Sequence, residues 1–171
     1  MDSSSQKEDG KRKVNEVKIF PVPFVLEEIK ETISIVTNTP SKEQIINQAF
    51  TFHSQGNISE AAKSYQYFIT QGFKDHRVFS NFGAISQGLG KLQDAELSYR
   101  KAIELKPDYA EAHSNLGNIL RDLGKLQDAE LSYRKAIEIN PVNPEVFWNL
   151  ALLQLLQGDY KNGLENYEFR F

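Results

Sequence analysis

Four features of this 171-residue chain have residue types and spacings that could do chemistry. The first is "GLGKL" at residues 88–92, which has the glycines and lysine of a phosphate-cradling loop. That loop needs a glycine where Ile85 stands and a Ser or Thr where Leu92 stands, so the stretch reads instead as a turn between two helices. The second is the histidine set. His53, His76 and His113 are too far apart for the one-turn pair of a zinc site, and the chain has no cysteine, so neither a metal set nor a disulfide is expected. The third is a group of carboxylates, Asp94, Glu96, Asp128 and Glu130, which recur at a fixed period and read as solvated helix faces. No nucleophile, acid–base dyad or cofactor site emerges, and an enzyme is not expected. The fourth is a column of amides, Asn47, Asn81, Asn115 and Asn149. Asparagine is a poor residue for a helix interior, so four at one period ask for a reason. An amide offers both a donor and an acceptor, which matches the peptide group of an extended ligand whatever its side chains. The same column also reads as a packing device that bonds to neighbouring repeats and sets their pitch.

The elements that would position these amides are legible from self-similarity. Residues 89–104, "LGKLQDAELSYRKAIE", recur letter for letter at 123–138, a shift of 34. Rows begun at Lys42, His76, Ala110 and Pro144 align three columns. One holds Gly56, Gly90, Gly124 and Gly158, the second Ala61, Ala95, Ala129 and Gly163, the third Tyr65, Tyr99, Tyr133 and Tyr167. The glycines suit positive φ at the end of a first helix, and the small residues suit close approach of a second. A hairpin of this size cannot bury its apolar stripe alone, so it stacks on copies of itself, and equivalent contacts demand equivalent residues. The "NTPSKEQ" stretch supplies a start signal, with Ser41 and Gln44 placed for a capping box.

The third row, with Leu116, Gly117, Gly124, Ala129, Tyr133, Ala136 and Pro141, resembles the tetratricopeptide repeat. The second row matches with Phe82, Gly83, Gly90, Ala95, Tyr99, Ala102 and Pro107, while the first departs from the pattern at Gln48, Ala49, Phe68 and Phe73. The resemblance implies an all-α, right-handed α-solenoid of four hairpins at 42–75, 76–109, 110–143 and 144–171, the last truncated. It also implies that Glu111, Ser114, Asn115, Asn118, Arg121 and Asp122, about 100° around the first helix of row three from its core stripe, line a concave groove. The asparagine column is similar to that of the repeat arm of O-linked N-acetylglucosamine transferase and its bacterial relatives, where such a ladder holds peptide backbone. The carboxylate clamp of chaperone-binding repeats is not expected, because Ile46, Phe50 and Glu145 occupy positions where that clamp carries polar and cationic side chains.

At about 1 kcal/mol net per amide, four would reach only about millimolar affinity, so neighbouring side chains must choose the partner. Row three offers Ser114, Asn118 and Arg121. Row four offers Trp148, Leu152, Leu155 and Leu156, an apolar pocket for a hydrophobic anchor. The expected function is a non-catalytic scaffold that binds an extended peptide or partner domain in its groove. The alternative is an N-terminal repeat arm of a glycosyltransferase whose catalytic domain lies outside this chain.

Net charge of −3 with 25% charged residues argues against a nucleic-acid partner. The polar first residues lack the apolar core of a secretory signal, and "LALLQLLQ" is too short to span a bilayer, so a cytoplasmic protein with no membrane partner is expected. Residues 1–17 read as a disordered polar tail. Residues 18–40, opened by Pro21 and Pro23, read as an extended lead-in and candidate N-terminal cap. In the last helix, Tyr160, Leu164, Tyr167 and Phe171 are spaced to pack back on their own hairpin, with Phe169 off that stripe. Self-association through this C-terminal face is the further expectation.

Overall fold

The computed structural model describes residues 40–169. The tail at 1–17, the lead-in at 18–39 and Phe171 lie outside the described residues. Eight helices follow in order: α1 Lys42–Ser54, α2 Ile58–Thr70, α3 His76–Gly88, α4 Leu92–Leu105, α5 Ala110–Asp122, α6 Leu126–Ile139, α7 Pro144–Leu156 and α8 Tyr160–Glu168. There is no strand among the described residues. The first helices begin at the four row starts, Lys42, His76, Ala110 and Pro144.

Helix ends follow local chemistry. At α1 the capping box is complete: Ser41 Oγ accepts from Gln44 N at 3.2 Å and Gln44 Oε1 accepts from Ser41 N at 2.7 Å. Asp75, Asn143 and Asp159 cap α3, α7 and α8 with their side chains, and Pro144 takes the first turn of α7, where no N–H is missed. Gly56, Gly90, Gly124 and Gly158 all lie at φ between 72° and 83°, a conformation that costs a residue with Cβ about 1 kcal/mol or more. The degenerate first row turns differently after its second helix, with Gly72 at φ 74° and Phe73 packed on Phe68 at 5.4 Å, where the next two rows place Pro107 and Pro141.

Each of the first three hairpins is locked by its tyrosine. Tyr65, Tyr99 and Tyr133 are fully buried, each contributing roughly 2 kcal/mol through the apolar ring. The Tyr133 ring lies so close to Gly117 that a Cβ there would stand 2.5 Å from Tyr133 Cε1; at Gly83 the corresponding distance to Tyr99 Cε1 is 3.0 Å. In the second and third hairpins, Gly83 with Tyr99 and Gly117 with Tyr133 are each one contact seen from two sides. Hairpins then stack, α2 on α3, α4 on α5 and α6 on α7. Successive first helices also touch, α3 with α5 and α5 with α7, while successive second helices make no contact of that extent, so the array curves with the first helices on its inner face. The result is an all-α solenoid of helical hairpins.

Helix α8 corrects one expectation. Tyr160 and Leu164 are 67% and 58% exposed and do not pack back on their hairpin. The inward edge is set by Gly163, against Leu155, and by Tyr167, against Trp148. A helix can turn only one edge toward its partner, and closest approach selects the edge carrying the smallest residue. Phe169 falls off the stripe as expected, yet its ring stacks on Phe147 at 5.1 Å.

Candidate functional site

The inner face carries the asparagine column once per first helix. Asn47 is exposed, while Asn81, Asn115 and Asn149 are half-buried. Asn81 Nδ2 donates to the Tyr65 hydroxyl at 3.1 Å, across the boundary between the first two repeats. The same hydroxyl lies 3.1 Å from His53 Nδ1, and burial pushes its pKa up against the opposing pull of the Asn81 bond. The side chains of Asn47, Asn115 and Asn149 make no hydrogen bond among the described residues. One column thus holds two behaviours, a packing bond at Asn81 and unused amides at the other three. The cause is the tyrosine's nearest partner in each repeat. In row three Tyr133 donates instead to Asn118 Oδ1 at 2.7 Å within its own hairpin, and burial raises its pKa to about 12.

Beside the column, Arg121 is paired with Asp122 at 3.0 Å. Ser114 departs from expectation: it is 8% exposed and does not line an open groove. The approach of α3 and α7 to either side of α5 covers a side chain this short. The equivalent Ser80 is buried as well. In the fourth repeat Leu152 and Leu156 are exposed, but Trp148 is half-buried with its ring 5.1 Å from Tyr167, and Leu155 packs over Gly163. The expected apolar pocket is therefore an apolar surface already engaged by α8 on one side. A cleft of about 280 Å³ opens on the inner face between Phe50, His53, Ser54, Tyr65 and Asn81, with the Arg77 guanidinium 5.2 Å above the Phe50 ring.

A larger cleft, about 730 Å³, lies on the opposite face between α2 and α4, with Tyr67, Leu89 and Leu97 on its rim. Sequence reasoning passed over it. The signal was Leu97 and its equivalent Leu131, apolar residues that recur next to Glu96 and Glu130; they are 68% and 66% exposed. Among the described residues no group of His, Asp and Glu could hold a metal, and no helix is long and apolar enough to cross a membrane.

The family model of the TPR repeat matches residues 89–120 and 117–158. Among solved structures the fold is similar to the crystal structure of MamA, at 20% identity over 77% of each chain with a TM-score of 0.72. It is also similar to YrrB, described as a TPR protein with an unusual peptide-binding site, at 17% identity over 78% of this chain and 69% of that one, TM-score 0.71. PilF of Pseudomonas aeruginosa aligns at 20% identity over 77% of this chain and 60% of that one, TM-score 0.68. No curated protein matches the chain. At such identities the structural likeness speaks for fold, and the match to the family model speaks for the repeat itself. Residues 89–158 match the TPR repeat, and the described helical hairpins share the fold of solved TPR proteins.

Proposed function

We propose that this protein is a non-catalytic scaffold whose inner face binds an extended segment of a partner protein by its backbone. The carrying observation is the set of unused amides: among the described residues Asn47, Asn115 and Asn149 make no side-chain hydrogen bond, and Asn81 uses only its Nδ2, with no donor on its Oδ1. A half-buried amide without a partner is a standing capacity for hydrogen bonding, and a peptide group satisfies both of its ends. Asn118, Arg121, Trp148 and Leu152 flank the column and would choose among side chains, while the buried Ser114 drops out of the contact surface. The structure of YrrB, described as having a peptide-binding site on the same fold, agrees with this reading. The glycosyltransferase-arm alternative gains no supporting observation.

Peptides selected on the protein provide the test. If the column reads backbone, N-methylating single peptide amides weakens binding about tenfold, Asn115→Ala weakens it by a similar factor, and most side-chain truncations do less. Binding that tolerates both N-methylation and Asn115→Ala would sink the proposal.

A second reading has its own observation. One face of α8 is apolar and open at Tyr160 and Leu164. The outer face of α1 is polar, with exposed Gln44 and Gln48 where α3, α5 and α7 place Val78 and Phe82, Ala112 and Leu116, Val146 and Leu150. Head-to-tail stacking of copies would set Tyr160 against Gln48. Self-association through the C-terminal face is accordingly tail-to-tail, with the same patch on both copies.

A further inference from the structure

We propose that the cleft between α2 and α4, on the face opposite the asparagine column, is a second docking surface for a partner-protein segment that combines a large apolar side chain with a carboxylate. The groove between successive second helices differs in size from one repeat boundary to the next, about 730 Å³ between α2 and α4 against about 420 Å³ between α4 and α6. The difference has a local cause. Across the second repeat boundary Lys125 Nζ meets Glu96 Oε2 at 2.7 Å, and Arg100 holds the same carboxylate at 2.9 Å. One period earlier the equivalent residues are Lys91 and Ala62, and both line the wider cleft. Lys91 thus reaches the equivalent place in the fold with no carboxylate to meet, and it has no ion-pair partner among the described residues.

The rest of the lining defines the occupant. Ala62, Phe82 and Ile85 form an apolar floor, and Tyr67, Leu89 and Leu97 stand at the rim, 42%, 60% and 68% exposed. The charged residues that line it are Lys63, Lys91 and Asp94. Lys63 is tied to Glu60 at 2.7 Å, and Asp94 sits in the first turn of α4, where the helix N-terminus favours its charge. Of its two lysines, Lys91 is the one without an ion pair among the described residues. An apolar side chain fills the floor and a neighbouring carboxylate supplies from outside what Glu96 supplies from within one repeat later. A basic segment would set its cations against Lys63 and Lys91.

The experiment is independent of the inner-face reading. A displayed library of random dodecapeptides is selected on the 171-residue protein, and enriched peptides are titrated onto the parent and onto Ala62→Glu, Leu97→Asp and Asn115→Ala. Ala62→Glu gives Lys91 the internal partner that Lys125 already has, closing the cleft without removing a core contact. Leu97→Asp changes an exposed rim residue and leaves the fold unchanged by circular dichroism. The expected result is a class of peptides pairing a large apolar residue with Asp or Glu, weakened about tenfold or more by both cleft variants and unaffected by Asn115→Ala. A selection that yields no binders, only binders indifferent to Ala62→Glu and Leu97→Asp, or cleft binders that are basic overturns the proposal.

Discussion

Replacing Asn81 and Asn115 separately by alanine distinguishes the two behaviours found within one column. Both are half-buried and share the same position in equivalent helices, so Asn→Ala gives each the same gain in helix propensity, roughly 0.5 kcal/mol. What differs is the bond. Asn81 Nδ2 donates to the hydroxyl of a fully buried tyrosine at 3.1 Å, a neutral pair worth about 1 kcal/mol net. Asn115 has no such bond among the described residues. Asn115→Ala is therefore expected to raise stability by about 0.5 kcal/mol and Asn81→Ala to lower it by about 0.5, and the difference of about 1 kcal/mol is the bond alone. That difference separates the two melting temperatures by about 4 °C. Urea unfolding followed by circular dichroism measures it. The same pair repeated in a Tyr65→Phe background closes a double-mutant cycle, in which the Asn81→Ala deficit disappears and the Asn115→Ala gain persists. Equal stability changes in the parent, or a deficit at Asn81 that survives Tyr65→Phe, would refute the assignment of this amide to repeat packing.

Three further outcomes are expected. Gly117→Ala is expected to destabilise the protein by about 1 to 2 kcal/mol, because a Cβ 2.5 Å from the Tyr133 ring outweighs the propensity gain, while Gly83→Ala at 3.0 Å from Tyr99 is nearly neutral; urea midpoints compare them. Hydrogen bonding from Lys125 and then Arg100 holds Glu96 below its usual pKa of 4.5, so the stabilisation it gives is present above that value and is lost as pH falls through the lower folded one. Glu96→Gln is accordingly less stable than the parent near neutrality, by less than about 1 kcal/mol, and converges with it in acid; a constant gap across the pH range would contradict this. On a sizing column with light scattering, the protein should form dimers at high concentration, and Tyr160→Glu with Leu164→Glu should return it to monomer; persistence of the dimer in that variant would place the contact elsewhere.

The sequence alone determined the period and the all-α hairpin architecture, because these rest on local and repeating chemistry. A glycine that must take positive φ and a capping box at Ser41 and Gln44 declare themselves in one dimension. The sequence also determined which column of amides to examine. It did not determine what each amide does, because that depends on distances of a few tenths of an ångström between helices from different repeats. Asn81 bonds to Tyr65 and Asn115 does not, although the two occupy the same register. Edge positions were illegible for the same reason: Ser114 is covered by neighbours that a helical wheel does not contain, and Tyr160 and Leu164 face outward because Gly163 and Tyr167 took the inward edge. At the cleft between α2 and α4 the recurring apolar Leu97 is legible in the sequence, but only stacking places it on a rim. A missing carboxylate at Ala62 is an unremarkable letter until stacking shows that its counterpart Glu96 spans a repeat boundary to Lys125.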